Sequence, residues 1–223
     1  MGDRKAMKTS AATTRDIGLS PPVRREAPDR DELLRAAAAL ATIDGLDRLS
    51  AASLADYLKI PASEIERQFS SREELEMAAI ETAVLMFKQD VLWPATRAKP
   101  GLARLRVLCN AFLDHVRKPT FPGGCFFASV ATELDTRPGK PRDRVLSVHR
   151  SWMRYIELCL REAKKLREVD AAADVEQLAF EIDAMLALGN VGFVFYRDAR
   201  WVDQAQVGVE HVIERVRARV SKS

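Results

Sequence analysis

Cysteine is scarce: Cys109, Cys125 and Cys159 are all the chain has in 223 residues, an odd number with no metal-ligand spacing. No disulfide framework is expected, and the scarcity fits a reducing, cytoplasmic compartment. Histidine is just as thin, with His115, His149 and His211 scattered along the chain. No metal-ligand pair, glycine-rich phosphate loop or nucleophile elbow occurs, so an enzyme is not expected, and no metal or cofactor is implied. A strong charge of either sign is also missing, since 35 basic and 32 acidic side chains leave a net +3. That balance permits nucleic-acid binding without demanding it. Alternating apolar and polar runs are absent, which removes the case for strands. The most apolar stretch, Ala184 to Tyr196, is 13 residues long and interrupted by Asn190. A bilayer span needs about 20, so no membrane partner is expected.

What is present is helical, and 47% hydrophobic content supplies a proper core. Residues 1–28 have six basic side chains against three acidic ones and no helical stripe. They read as a disordered basic arm able to lie along DNA, and not as a secretory signal, because no apolar run follows the charges. Asp29 with Glu32 resembles a capping box opening a helix to Ile43, rich in alanine and ended by Gly45. Ser50 is a suitable N-cap for a short helix to about Leu58. Pro61, favoured in a first helical turn, opens another to about Phe69, with Ile65 and Phe69 on its packed face. Two short helices joined by a tight turn are what a helix-turn-helix requires. Ser71 and Glu74 form a second capping box, starting a long helix that Pro94 stops or kinks near Trp93.

The stretch from Asp29 to Glu81 resembles the N-terminal domain of the TetR family of bacterial transcriptional regulators. The matching residues are Leu33, Leu34, Ala36, Ala37 and Leu40, then Gly45, Leu49, Ser50, Leu54 and Ala55, then Ile60, Ile65, Phe69, Ser71, Arg72, Glu73 and Leu75. The resemblance implies an all-α protein: a three-helix DNA-binding domain over 29–75, followed over 76–223 by a larger helical effector-binding and dimerisation domain. It also implies that Ser50, Lys59, Arg67, Gln68 and Arg72 hold phosphates of a double-stranded operator, with Ser63 and Glu64 nearest the base edges. Three positions depart from the family pattern: Lys59 where glycine is common, Ala62 where a basic residue is, and Glu66 where a phosphate-touching tyrosine is. Ser50 to Ser70 carries two basic and three acidic side chains, a net −1 that is unfavourable beside phosphates.

Further along, Leu102, Leu105, Leu108, Cys109, Phe112 and Val116 form one helical stripe, and Val145, Val148, Trp152, Ile156, Leu160 and Ala163 another. Between them a short helix is expected from Cys125 to about Thr136. Such helices pack as a bundle. The GGCFF run at 123–127 and the LDTRPGKPRDRV segment resemble ligand-domain sequence of the same family. An apolar effector pocket is expected among Leu105, Cys109, Phe112, Phe126, Phe127, Trp152, Ile156 and Phe193, for a small apolar or amphipathic molecule. His115, Glu133 and His149 are the polar groups available to orient it. Cys125 either starts a helix with a lowered pKa or is a small buried hydrophobe.

A helix from Asp174 to Asp198 has Val175, Leu178, Ile182, Met185, Leu186 and Gly189 on one side and is apolar almost all round in its later half. Such a helix must be covered on all sides, so it is expected between the core and a second subunit. Val209, Val212, Ile213, Val216 and Val220 form a last stripe. A homodimer interface through these two helices is expected at Ile182, Met185, Gly189, Phe193, Val209, Ile213 and Val216. The sequence thus describes a DNA-binding regulator, a repressor released from a palindromic operator by a small molecule. The alternative is a helical ligand- or partner-binding protein whose acidic recognition helix no longer binds DNA.

Overall fold

The computed structural model describes residues 28–217, so the basic arm and Val220 lie outside the described residues. Among the described residues, ten α-helices carry the fold. α1 (Arg30–Asp44) is capped by Asp29, whose carboxylate accepts from the Glu32 amide at 2.8 Å, and it ends at Gly45 with φ +86°. A 3-10 turn (Leu46–Arg48) leads to α2 (Ala51–Leu58), which Ser50 caps in a reciprocal pair with Ser53. Lys59 then turns the chain in the left-handed region, φ 58° and ψ 44°, where glycine is ordinarily favoured.

α3 (Ala62–Glu66) is shorter than the helix expected to run to Phe69. The reason lies just downstream. Ser71 must take an extended conformation, φ −155°, to cap α4 (Arg72–Phe87), and only a tight turn through Arg67 and Gln68 reaches it. The second half of the expected capping box is also displaced, because the Glu74 carboxylate accepts from the Ser70 amide and hydroxyl at 2.7 and 2.6 Å. Leu33, Leu46, Leu49, Leu54, Ile65 and Leu75 close the core of this three-helix head with essentially no exposure.

Pro94 does not stop the long helix; the expected alternative, a local departure from regular helix, is what is found. It has no N–H to give the fourth residue back, and the chain meets this with a wide π turn over Lys88–Leu92, closed by the Trp93 amide on the Lys88 carbonyl. Helical backbone then continues as α5 (Trp93–Thr96). The body adds α6 (Leu102–Arg117), α7 (Phe126–Leu134), α8 (Lys140–Lys165), α9 (Val175–Tyr196) and α10 (Arg200–Val216). α9 packs chiefly against α10. A Cβ at Gly192 would lie 2.2 Å from the Trp201 ring, so only glycine permits this approach.

At 22 residues, α9 is long and apolar enough to cross a membrane by length and composition, unlike its 13-residue apolar half. One side is nevertheless built into the bundle through Leu178, Ala179, Ile182 and Leu186. The core of the head and that of the body are continuous, joined where α1 packs on α4 and α7.

Candidate functional site

Three parts of the molecule are candidates for a functional role: the surface of α2 and α3, a cavity in the body, and the polar joint between them. On the head, α3 buries Ile65 and presents Ser63, Glu66 and Arg67 to solvent, with Glu64 and Gln68 half-buried. Ser50 is occupied as the cap of α2, its Oγ accepting from the Ser53 amide at 3.1 Å. Lys59 pairs with Asp56 at 2.8 Å, and Arg67 with Glu64; both pairs are largely exposed and so easily exchanged for other partners. Gln68 accepts from Arg30, which also stacks on the Phe69 ring at 4.9 Å.

Arg72 is placed differently from the phosphate-holding role that the resemblance implies. Its Nε donates to Glu76 at 2.9 Å, and its Nη2 donates to the Leu46 and Asp47 carbonyls. The guanidinium is thereby committed to the joint of the head, because burial leaves Glu76 in need of a cation. That burial pushes the Glu76 carboxyl upward despite Arg72.

In the body, a cavity of about 270 Å³ lies between α4, α6, α7, α8 and α9. Of the expected pocket residues, Phe112, Phe127 and Trp152 are on its wall. Leu105, Cys109, Phe126 and Ile156 are instead buried core, at most 2% exposed, and Phe193 packs on the core from outside. These four point into the packing between helices, which helical spacing cannot distinguish from a cavity wall. Phe87 of α4 and Asp183 of α9 line the cavity and were not expected there. Phe87 belongs to the α4 stripe, and nothing in its spacing separates cavity from core.

The polar end of the cavity is a small network. Trp152 Nε1 donates to Asp183 Oδ1 at 2.7 Å, and His149 Nε2 faces Asp183 Oδ2 at 3.5 Å. Hydrogen bonding to Asp183 holds the His149 pKa above its ordinary value, against partial desolvation. His115 plays no part in this network: it is 3% exposed, its Nδ1 meets Asp90 at 2.9 Å, and burial lowers its pKa despite that carboxylate. Cys125 touches the cavity from the start of α7, yet burial pushes its thiol up to about 11, outweighing the Ala128 and Phe127 amides that favour thiolate. The lowered pKa is therefore not found. Cys159 is likewise pushed up, to about 12, by burial.

α7 ties cavity to head. Its residues Phe127, Ala128, Ala131 and Thr132 line the cavity. The next residue, Glu133, turns to the head and accepts from the amides of Leu46 at 2.8 Å and Asp47 at 2.5 Å. Arg137 bridges Glu133 at 3.0 Å and Asp47 at 2.7 Å. At the other end of α7 the Gly123 amide donates to Thr42 Oγ1 at 3.1 Å, and a Cβ there would fall 1.9 Å from the Thr42 carbonyl oxygen. Glu133 thus bolts α7 to the turn after α1 and is not among the residues lining the cavity.

The expected interface residues Ile182, Gly189, Val209 and Ile213 are consumed by packing of α9 on α10 within one chain. Met185 is 38% exposed, whereas Phe193 and Val216 are half-buried. The apolar face that α9 leaves uncovered is Phe180, Leu188, Val191 and Phe195, with Tyr196 beside it stacked on Trp201 at 5.0 Å. The two faces share one helical period, so the sequence could not say which is taken first.

Residues 101–209 match the family described as tetracyclin repressor-like, C-terminal domain. No curated protein matches the chain in sequence. Among solved structures, the chain is similar to a TetR transcriptional regulator from Chloroflexus aurantiacus, at 22% identity over 85% of this chain and 96% of that one, with TM-score 0.75. A TetR-family regulator from Agrobacterium tumefaciens is similar at 17% identity, 84% and 97% coverage and TM-score 0.73. A putative transcriptional regulator from Saccharomonospora viridis, solved in complex with choline, is similar at 20% identity, 84% and 96% coverage and TM-score 0.69. At these identities the likeness is one of fold.

Proposed function

This chain belongs to the TetR family of transcriptional regulators, and from that premise we propose that it is a homodimeric repressor released from a palindromic operator by a small molecule. The observation that carries the proposal is the exposure of Ser63, Glu66 and Arg67 on α3, while Ile65 and Phe69 anchor the same segment in the head. A helix so presented fits the major groove, and two copies spaced about 34–36 Å apart would meet successive turns of one operator. Residues 29–75 form the reading head and those from 76 onward the regulatory body. Ser50, Lys59, Arg67 and Gln68 are assigned to phosphates, and Ser63 and Glu64 to base edges; glutamate can accept from cytosine N4.

The second copy is assigned to the uncovered stripe of α9, where Phe180, Leu188 and Phe195 are 63%, 56% and 77% exposed. An apolar face of that kind marks an association site. The effector is assigned to the body cavity, and the bound choline of the Saccharomonospora protein supports a small-molecule occupant of such a fold. An effector pressing on α7 would shift Glu133 and Gly123 together, and with them the position of α1 and the 3-10 turn. Coupling then equals the difference in effector affinity between the two head positions.

The test is anisotropy of a labelled duplex from the chain's own upstream region, titrated at about 50 and 200 mM salt. Salt-sensitive binding that Lys59→Glu with Arg67→Glu abolishes is expected; no binding at low salt sinks the operator reading. Arg72→Glu is unsuitable, because it would break the joint as well. A second reading, a ligand-binding protein with no DNA partner, is favoured by one observation: Lys59 and Arg67 each already meet a carboxylate, and the segment is net acidic. Sedimentation separately checks the dimer, since Leu188→Arg with Phe195→Arg should leave a folded monomer.

A further inference from the structure

The cavity wall is chemically one-sided. Phe87 stands nearly perpendicular to Phe112, Phe127 and Trp152, at interplanar angles of 72°, 88° and 80° and centroid distances of 6.4, 5.7 and 5.5 Å. Four aromatic rings therefore gather beside the half-buried Asp183 carboxylate, and among the described residues no lysine or arginine lines the space. Ring faces attract cations, and the carboxylate supplies the neutralising charge. An anionic ligand would meet Asp183 as a like charge in a partly desolvated site. A neutral ligand would leave both attractions unused.

We propose that this cavity selects an organic monocation, a lipophilic amine or quaternary ammonium, with its charged head at Asp183 and its apolar part among the rings. The inference rests on the cavity being the effector site. His149 is the internal competitor, because a proton on its ring satisfies the same carboxylate. The other ionisable groups near the pair are few. The Cys125 thiol comes from the start of α7 and the buried Cys109 thiol from α6, and burial raises both. Asp135 and Arg142 lie in the depression on the outer side of His149, and α4 contributes only the Phe87 ring to the wall. Cation affinity should therefore rise with pH as His149 loses its proton, while affinity for a neutral ligand should not.

The experiment is calorimetric titration of the full chain with para-(trimethylammonio)benzyl alcohol, its neutral isostere para-tert-butylbenzyl alcohol, and the anion para-tert-butylbenzoate. The cation should bind at least about tenfold more tightly than its isostere, and should tighten from about pH 6 to pH 8, across the ordinary histidine range. Asp183→Asn, which keeps the shape and an acceptor for the Trp152 indole, should remove the preference while the neutral alcohol still binds. His149→Gln should flatten the pH dependence and keep the preference. Equal binding of the isostere, tighter binding of the anion, or a preference that survives Asp183→Asn would overturn the cation assignment and leave the cavity as the effector site. Failure of all three molecules to bind at millimolar concentration would overturn the cavity reading, and this inference with it.

Discussion

Glu133 offers the most direct test of how the body holds the head. Its carboxylate accepts two backbone amides, Leu46 at 2.8 Å and Asp47 at 2.5 Å, and its side chain is only 22% exposed. Hydrogen bonds to a charged acceptor contribute about 1.5–3 kcal/mol each, and losing the acceptor leaves the donors to find water. The Leu46 residue is fully buried and cannot easily do so, whereas Asp47 is exposed and can. The Arg137–Asp47 pair at 2.7 Å survives the substitution and holds part of the joint. With those discounts Glu133→Ala should cost about 2–4 kcal/mol, which for a chain of this size lowers Tm by about 5–15 °C. Glu133→Gln keeps one oxygen and should cost roughly 1 kcal/mol. Thermal unfolding gives the global number, and amide hydrogen exchange of Leu46 and Asp47 gives the local one. An alanine variant that melts within about 1 °C of the parent, with those two amides exchanging no faster, would refute the assignment of Glu133 as a bolt.

Gly123→Ala puts a methyl 1.9 Å from the Thr42 carbonyl oxygen, a clash with backbone, so a loss of about 1–3 kcal/mol is expected in a denaturant melt. Lys59→Gly relieves a left-handed lysine worth about 1–2 kcal/mol but loosens the unfolded chain by about 0.4–1 and gives up the weak, exposed pair with Asp56, so a gain of up to about 1 kcal/mol should appear as a Tm a few degrees higher. His149 and His115 should titrate in opposite directions from an ordinary histidine when followed by NMR of their ring protons. The His149 pKa is raised, so its contribution to stability is complete below about pH 6.5 and is lost as pH rises through the folded value. The His115 pKa is lowered, so stability falls once pH drops below about 6.5 toward the folded value. Finding His115 titrating above His149 would contradict both placements.

Much of the fold was legible because local chemistry dictates it. Asp29, Ser50 and Ser71 announce three helix starts by being able to cap amides, and each does so in the structure. Gly45 ends α1 because a left-handed turn there is free for glycine alone. Where the reading failed or stayed open, the cause was a choice made in three dimensions. The length of α3 was settled by the backbone that Ser71 needs four residues downstream of Arg67, and the passage through Pro94 by a π turn that periodicity cannot foresee. Leu105, Phe112, Ile156 and Trp152 all sit on apolar stripes, yet only Phe112 and Trp152 reach the cavity.

The sequence by itself determined an all-helical chain with a helix-turn-helix near its start, because caps, breakers and apolar periods act within a few residues and need no partner to be read. Tertiary structure alone decided that Arg72 and Glu133 lock the head to the body, that Asp183 meets Trp152 and His149 beside a ring-lined space, and that α9 spends Ile182 inward and leaves Leu188 outward. Those outcomes depend on which helix faces which across dozens of residues, a distance over which no local preference carries information.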